Sequence, residues 1–399
     1  MTMNEQAFSP APFGELCDRK LELFSAPSCP AWGYAEPQTD SFAVLHPEAV
    51  REGERYPLYV VFHSAGHDLY SALACTWQTN NHDIYKTPAG MYGLYLDCRR
   101  NEAQDWWWGG DSAKGAVRPG RDGLDLQPVE RRVMDTVAWA MSHYPIDPER
   151  VYAVGNSMGG SGALGIAMRR GDVFSAVCVN VPAGCAHIAD RLGFDGAPPQ
   201  NLADPPVLVD YSAQDDAWSA GHERLYRGMR ERRYAVIGYF GCFGHENNHE
   251  KIRAVNDLFD AFDITTLRKC DPYPAFTNAT TDDPIPWGEG GEILHRDAGQ
   301  VNAFFRWADV REDEDSVNLT LRLLTPDECK TRVALPREAT ADLTLWRLSR
   351  FSVKAGESLA YEYGDRRGSV AADAEGRVTL PAVRVTDTPT ELRVWREKK

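Results

Sequence analysis

Strand and helix signals alternate along the chain from residue 40 to residue 262. Residues 56–62 (YPLYVVF) and 91–97 (MYGLYLD) are short apolar runs, the pattern of strands that are buried on both faces of a sheet. Residues 128–143 carry apolar side chains at helical spacing, and Pro128 suits the first turn of a helix. This alternation predicts an α/β fold, with a doubly wound, mostly parallel sheet covered by helices on both faces. Right-handed crossovers then bring the carboxyl ends of the strands to one edge, where sites form.

The other segments of this region extend the same pattern. Further strands are expected at residues 41–46, 151–154, 174–181, 206–211 and 234–240, and further helices from residue 158, at 221–232 and at 247–262. Because one domain usually takes about 100–250 residues, a chain of 399 residues also predicts a second, smaller domain.

The pattern changes after about residue 265. Residues 269–291 are rich in Pro, Asp and Gly, and we interpret them as an extended linker lying against the α/β domain. Strand-like alternation follows at residues 300–307, 316–324, 341–345, 358–363, 377–380 and 390–394, which predicts a small antiparallel β-sandwich. The expected organisation is an N-terminal extension (1–40), an α/β catalytic domain (41–264), a linker (265–298) and a β-sandwich domain (299–399).

Charge and cysteine content exclude several classes of function. The formal net charge of −15 repels phosphate backbones and anionic lipid, so neither nucleic acid nor a membrane is an expected partner. The nine cysteines are scattered without CxxC spacing, which favours buried reduced thiols over a disulfide framework or a zinc site. The polar N-terminus has no apolar signal-peptide core, and no apolar stretch reaches the length of a membrane span. A cytoplasmic protein is the expectation, and secretion stays open should a signal peptide have been removed.

The most informative motif is Gly-Asn-Ser157-Met-Gly, a Gly-x-Ser-x-Gly sequence between an apolar strand and a helix-compatible run. A serine on such a sharp strand-to-helix turn has a strained backbone, and bulky neighbours would clash with it, so small residues flank it. The turn raises the hydroxyl above the sheet and directs the helix N-terminus at a developing oxyanion. Ser157 is therefore the candidate nucleophile.

Residues 145–160 (PIDPERVYAVGNSMGG) resemble the segment around the nucleophile in α/β-hydrolase esterases. The subgroup that it resembles includes polyhydroxybutyrate-depolymerase-like, feruloyl and acetylxylan esterases and the peptidases related to prolyl oligopeptidase. The resemblance covers roughly residues 40–262 and no motif of the C-terminal third. It implies an α/β-hydrolase fold and a catalytic triad in the chain order Ser, Asp, His.

That order indicates where the acid and the base should lie. An Asp pair follows the strand predicted at 206–211, and the resemblance to prolyl-oligopeptidase-like enzymes favours Asp215 over Asp216 as the catalytic acid. Asp210 lies within the strand and is a weaker candidate. His245 follows the last strand directly after a glycine, as in the relatives, and is the expected base, with His249 as the alternative.

An oxyanion hole needs two backbone N–H groups. One is expected from Met158, the residue after the nucleophile, and the other from the loop HSAGH that follows the strand at 56–62. In that loop Ala65 is favoured as the donor and Ser64 is second; both stand where glycines are common in the similar esterases. His63 is a candidate for contact with the substrate. A metal bound by His63 and His67 is not expected, because no carboxylate cluster accompanies them.

Three consecutive tryptophans follow the strand at 91–97, on the sheet edge expected to hold Ser157. Trp106, Trp107 and Trp108 could line a pocket and stack on a sugar or an aromatic acyl group, or they could pack against the linker or the C-terminal domain. Trp218 and Trp77 are weaker candidates for the same pocket.

These residues predict a serine-dependent carboxylic ester hydrolase that works through an acyl-enzyme and needs no cofactor. The short segment between the strands near 181 and 206 leaves no room for a large lid, so a bulky substrate is expected. The favoured substrates are short-chain or aromatic (acetyl or feruloyl) esters of a carbohydrate, either small molecules or oligosaccharides. A homodimer is possible.

Two other functions stay open. The first is a serine peptidase of the prolyl-oligopeptidase kind, although about 40 residues before the catalytic domain cannot form the propeller of those relatives. The second is a non-catalytic carbohydrate-binding protein with the β-sandwich as its main module. Assays with p-nitrophenyl acetate and a proline-containing amide separate the first of these from an esterase.

Overall fold

The computed structural model describes residues 9–27, 29–34, 37, 39–76, 83–98, 107, 126–196, 203–213, 221–241, 245 and 253–397. Nine strands precede residue 265: β1 (Ser9–Leu16), β2 (Arg19–Ala26), β3 (Asp40–Leu45), β4 (Tyr56–Phe62), β5 (Tyr92–Leu96), β6 (Ile146–Asn156), β7 (Ala176–Asn180), β8 (Val207–Ala213) and β9 (Val236–Gly241). The helices among the described residues are α1 (Leu69–Ala74), α2 (Pro128–His143), α3 (Met158–Ala167), α4 (Cys185–Arg191), α5 (His222–Glu231) and α6 (Arg253–Asp260).

The following strands come after residue 265: β10 (Tyr273–Thr277), β11 (Gly299–Val301), β12 (Phe305–Glu312), β13 (Ser316–Leu323), β14 (Glu338–Trp346), β15 (Ser358–Tyr363), β16 (Arg366–Ala371), β17 (Val378–Thr386) and β18 (Thr390–Trp395). Eight of these strands form two antiparallel sheets, with strand orders β10-β14-β17 and β12-β13-β18-β15-β16. The ninth, β11, pairs with β9.

A ten-stranded sheet has the order β1-β2-β3-β5-β4-β6-β7-β8-β9-β11. The six strands from β5 to β9 in this order run parallel, whereas β1, β2 and β3 at one edge and β11 at the other pair antiparallel with their neighbours. Every residue of β4 and of β9 is buried, as expected for strands covered on both faces. The predicted mostly parallel α/β sheet is confirmed.

The antiparallel edge contains two strands that the sequence analysis did not predict. β1 and β2 form a hairpin within the predicted N-terminal extension, and β2 pairs with β3 from Leu21 opposite Leu45 to Ala26 opposite Asp40. Within β2, residues 20–23 (KLEL) alternate polar and apolar side chains, which is a short signal for such a strand.

The predicted strand at residues 300–307 is two strands. Asn302 lies between β11 and β12 with a φ of 58°, a left-handed conformation that ends an extended run and that Asn tolerates better than most residues. Its side-chain amide donates to the carbonyls of Val236 and Phe276, both at 3.0 Å. The chain therefore turns here from the large sheet into the five-stranded sheet.

The predicted linker also contributes to the packed structure. It contains β10, and Trp287 stacks on His222 with ring centroids 4.7 Å apart. Strands β1 and β2, from the predicted N-terminal extension, and β11, from the predicted C-terminal domain, join the large sheet. The domain limits at residues 40, 264 and 298 remain predictions. In the described part of the chain, no helix combines the length and the apolar character needed to cross a membrane.

Candidate active site

Ser157 occupies the turn between β6 and α3. Its φ of 57° and ψ of −120° lie in a region that costs a residue with a side chain about 1–3 kcal/mol. The loop after β7 holds this conformation from both sides, because Ser157 N–H donates to Asn180 O (2.9 Å) and Ala183 N–H donates to Ser157 O (3.1 Å). Strain of this kind persists only where the surrounding structure imposes it, and such places are often functional sites.

The glycines of the motif allow three elements to meet at Ser157. A Cβ atom on Gly155 would lie 2.2 Å from Gly159 O, and a Cβ atom on Gly159 would lie 2.0 Å from Phe62 O. The end of β6 therefore packs directly against the first turn of α3, and that turn packs against the end of β4. This close approach places the loop after β4 next to the candidate nucleophile.

The candidate base lies within hydrogen-bonding distance of the candidate nucleophile. Ser157 Oγ is 2.6 Å from His245 Nε2, and Ser157 is 8% exposed. An imidazole nitrogen at this distance can accept the hydroxyl proton as the oxygen attacks a carbonyl carbon. The structure thus brings together two residues that are separated by 88 positions in the sequence.

The candidate acid Asp215 and the alternatives Asp216 and His249 lie outside the described residues. Asp210, the weaker candidate in β8, is fully buried, and its Oδ2 accepts from Ser212 Oγ (2.7 Å) and from the Tyr226 hydroxyl (2.8 Å). Burial raises the pKa of the Asp210 carboxyl.

The candidate oxyanion-hole residues come from two segments, Met158 from the start of α3 and Ser64 and Ala65 from the loop after β4. Met158 is the first residue of α3, so its N–H is at the positive end of the helix dipole. Ala65 is exposed in a turn closed by the His67 N–H, which donates to Ser64 O at 3.2 Å. Ser64 is buried, and its Oγ donates to Asn156 O at 2.9 Å.

The side chains of His63 and Trp107 are fully buried, and both form hydrogen bonds with backbone atoms of the loop after β4. The Cys98 N–H donates to His63 Nε2 (2.9 Å), so the ring proton is on Nδ1, which donates to Ser64 O (2.9 Å). Trp107 Nε1 donates to His63 O (3.0 Å), and its ring packs edge-on against Phe62 with centroids 5.1 Å apart. Neither ring is exposed to a ligand, which contradicts the prediction that His63 and Trp107 contact the substrate.

Trp107 fits the alternative role, packing, but it packs next to the turn at Ser157 and not against the linker or the C-terminal sheets. A Cβ atom on Gly162 would lie 2.5 Å from the Trp107 side chain, so the ring fills space that the α3 glycine leaves open. Trp106, Trp108, Trp77 and Trp218 lie outside the described residues. Among the described residues, no group of three or more His, Cys, Asp or Glu side chains is arranged to hold a metal ion.

Sequence reasoning missed three residues that shape the site. Asn156 occupies one of the two variable positions of the Gly-x-Ser-x-Gly motif. Asn180 is the last residue of β7, and its carbonyl accepts from the Ser157 N–H. Tyr85 lies in a 3₁₀ helix (Asp83–Tyr85). Only Asn156 has a local signal, because it directly precedes Ser157.

Residues 41–255, more than half of the chain, match the model of the Esterase family, which carries the description "Putative esterase". A comparison with curated proteins finds no match.

Three solved structures are similar to part of this chain. A thermostable esterase is 17% identical with a TM-score of 0.38, and the match covers 62% of this chain and 56% of that protein. An S-formylglutathione hydrolase from Agrobacterium tumefaciens is 14% identical with a TM-score of 0.41, covering 63% and 95%. A ferulic acid esterase is 11% identical with a TM-score of 0.40, covering 62% and 98%.

Proposed function

We propose that this chain, which belongs to the Esterase family, hydrolyses carboxylic esters with Ser157 as its nucleophile. Membership in this family confirms the prediction of an α/β-hydrolase esterase. The observation that carries the serine mechanism is the 2.6 Å contact between Ser157 Oγ and His245 Nε2 at the strained turn. A serine hydroxyl is a weak nucleophile until a neighbouring base removes its proton, and this contact supplies the base.

In the proposed mechanism, Ser157 Oγ attacks the ester carbonyl carbon while His245 Nε2 takes its proton. The carbonyl oxygen becomes an oxyanion that accepts hydrogen bonds from the Met158 N–H and from an amide near Ala65 or Ser64. Each such donor lowers the barrier by about 2.7–4 kcal/mol. His245 returns the proton to the leaving alcohol, and water then hydrolyses the acyl-enzyme by the same steps. Asp215 is the proposed acid that orients the imidazole.

The first test replaces the nucleophile. We expect Ser157→Ala to lower kcat for p-nitrophenyl acetate by about 10³-fold or more, because no other group forms the acyl-enzyme. Ser161→Ala is the matched control, since Ser161 is also buried and lies one turn further along α3. Full activity of Ser157→Ala in purified protein would exclude the proposed mechanism.

We further propose that the substrates are acetyl or feruloyl esters of a carbohydrate. The segment between β7 and β8 supports this, because its described residues form only the short helix α4 and no large cover. An uncovered site suits an ester whose alcohol is a bulky sugar. Hydrolysis rates of acetylated and feruloylated xylo-oligosaccharides, compared with a long-chain triglyceride, test this proposal. Preference for the triglyceride would contradict it.

We also propose that the two C-terminal sheets form a β-sandwich. The rings of Phe276 in β10 and Phe305 in β12 stack with centroids 4.1 Å apart, and these strands belong to different sheets. Along β13, buried and half-buried residues alternate, as expected for a strand with one face on a core.

A further inference from the structure

We propose that Ser64, Asn156 and Tyr85 are positioning residues that hold the loop after β4 ready to donate an N–H to the oxyanion. This inference rests on the proposed function, because the oxyanion forms only when Ser157 attacks an ester. None of the three side chains would take part in the chemistry itself. Their role would be to fix the distance between that loop and Ser157 before the substrate arrives.

The Ser64 hydroxyl uses its full hydrogen-bonding capacity within the protein. Its Oγ lies 2.9 Å from Asn156 O, 3.0 Å from Asn156 Nδ2 and 2.7 Å from the Tyr85 hydroxyl. A carbonyl oxygen only accepts, so the serine proton goes to Asn156 O. The Asn156 amide and the Tyr85 hydroxyl then donate to the two lone pairs of Oγ. One donor and two acceptors are all that a serine hydroxyl offers.

These bonds join the loop to the residue that precedes the nucleophile. Asn156 is the last residue of β6 and is bonded covalently to Ser157, so any shift of Ser64 relative to Asn156 also shifts it relative to Ser157. Ser64 is 5% exposed and Tyr85 is fully buried, so water does not readily replace a lost partner. Buried polar groups left without partners cost about 1–3 kcal/mol each, which disfavours displaced positions of the loop.

Tyr85 itself is anchored on the strands beneath the loop. The Tyr59 hydroxyl in β4 donates to Ile84 O (2.8 Å), and the Tyr95 hydroxyl in β5 donates to Tyr85 O (2.8 Å). The 3₁₀ helix that carries Tyr85 is thus fixed to two central strands of the sheet. The Tyr85 hydroxyl is therefore held in place where it contacts Ser64.

The same contacts explain why a serine stands where the similar esterases commonly have glycine. Ala65 is exposed, and a displacement of a positioning loop by about 1 Å can cost about 10²-fold in rate. The hydroxyl supplies three hydrogen bonds that a glycine could not make. Ser64 would therefore raise kcat by preorganising the N–H donor and would contribute little to substrate affinity.

The test compares Ser64→Ala and Tyr85→Phe with the wild-type protein. We expect each variant to lower kcat for p-nitrophenyl acetate by about 10- to 100-fold while KM changes by less than about 3-fold. The double variant should be no worse than the poorer single variant, because both remove parts of one network. Ser64→Thr keeps the hydroxyl and should retain more activity than Ser64→Ala.

A second readout measures the oxyanion site directly. Phenylboronic acid binds serine hydrolases as a tetrahedral adduct on the nucleophile oxygen, so its affinity should fall by the same factor as kcat/KM in Ser64→Ala. Ser175→Ala and Tyr152→Phe are matched controls. Both are buried hydroxyls that donate to backbone carbonyls away from the turn, Ser175 to Glu149 O at 2.8 Å and Tyr152 to Leu267 O at 2.8 Å.

Equal losses of kcat in Ser64→Ala and Ser175→Ala, or a loss that tracks the fall in melting temperature across all variants, would overturn the positioning role. A wild-type protein that hydrolyses esters while Ser64→Ala matches it would overturn this inference alone. A wild-type protein that hydrolyses no ester and binds no boronic acid would overturn the proposed function, and the positioning role with it.

Discussion

Two glycines set the geometry of the turn at Ser157, because each lets one backbone segment pass where a methyl group would not fit. Gly155 meets the carbonyl of Gly159, and Gly159 meets the carbonyl of Phe62. Both contacts are with backbone atoms, which cannot move aside as a flexible side chain can. The proposed chemistry at Ser157 therefore depends on residues that have no functional group.

This close packing predicts that Gly159→Ala destabilises the protein. The added methyl group would lie 2.0 Å from Phe62 O, so the variant should lose about 1–3 kcal/mol of unfolding free energy, together with most of its esterase activity. Gly165→Ala in the same helix is the control, since its methyl group would meet only Arg191 atoms at 3.6 Å or more. Urea unfolding measures both variants; equal stability of Gly159→Ala and wild type would contradict the packing argument.

At the scale of elements, one half-buried carboxylate lies at the junction between the large sheet and the C-terminal sheets. Asp282 Oδ1 accepts the backbone N–H of Asn302 at 2.8 Å, and the Asn302 side chain reaches β9 and β10. Burial raises the pKa of Asp282 from its ordinary value of 3.8 to about 7. The folded protein thus holds a proton there that the unfolded chain releases.

The raised pKa predicts a pH-dependent contribution to stability. Because the protonated form favours the folded state, this contribution is present below about pH 4 and is lost as the pH rises from about 4 to about 7. Asp282→Asn removes the titration. At pH 8 its free energy of unfolding should exceed that of wild type by about 1–2 kcal/mol, a value reduced for the partial exposure of the side chain, and the difference should be smaller at pH 4.5. Denaturant curves at the two pH values measure this. A difference that does not vary with pH would exclude the titration of Asp282 as its cause.

At the scale of the whole molecule, buried arginine contacts join the C-terminal sheets to the large sheet. The Arg347 guanidinium, next to the end of β14, donates to the carbonyls of Phe174 (2.8 Å), Ser175 (3.2 Å) and Gly171 (3.4 Å). Arg347 is buried, and this burial lowers the pKa of its guanidinium. β11 on β9 and Trp287 on His222 add to the same connection.

Arg347→Met should therefore destabilise the whole chain by about 2–4 kcal/mol, because three buried carbonyls lose their donor. Arg350→Met provides the control, since Arg350 is exposed and only three positions away. Thermal unfolding compares the two variants. Similar melting temperatures for both would mean that the buried contacts add little.

The same connections predict that the two parts unfold together. Calorimetry of the wild-type protein should show one transition whose calorimetric and van't Hoff enthalpies agree. Two separated transitions would show instead that the C-terminal sheets are an independent domain, as the predicted limit at residue 298 implies.

Local patterns in the sequence were enough for the α/β sheet and the strand-turn-helix at Ser157, whereas His245 was proposed from the resemblance to α/β-hydrolase esterases. Apolar runs and helical spacing indicate which face of each segment is buried, and the glycines indicate a turn that few other residues allow. These signals act over a few residues, so they can be interpreted without knowing the fold. They failed at residues 300–307, where an alternating run is divided between two sheets by the left-handed turn at Asn302.

Only the tertiary structure decided which distant groups meet. Ser64 and Asn156 are 92 positions apart, Arg347 and Phe174 are 173 positions apart, and no periodicity links either pair. The burial of Trp107 likewise depends on the space that Gly162 leaves under the turn. The physical reason is that such contacts form when strands and helices pack together and most buried polar atoms must find partners, a condition set by the whole assembly of strands and helices.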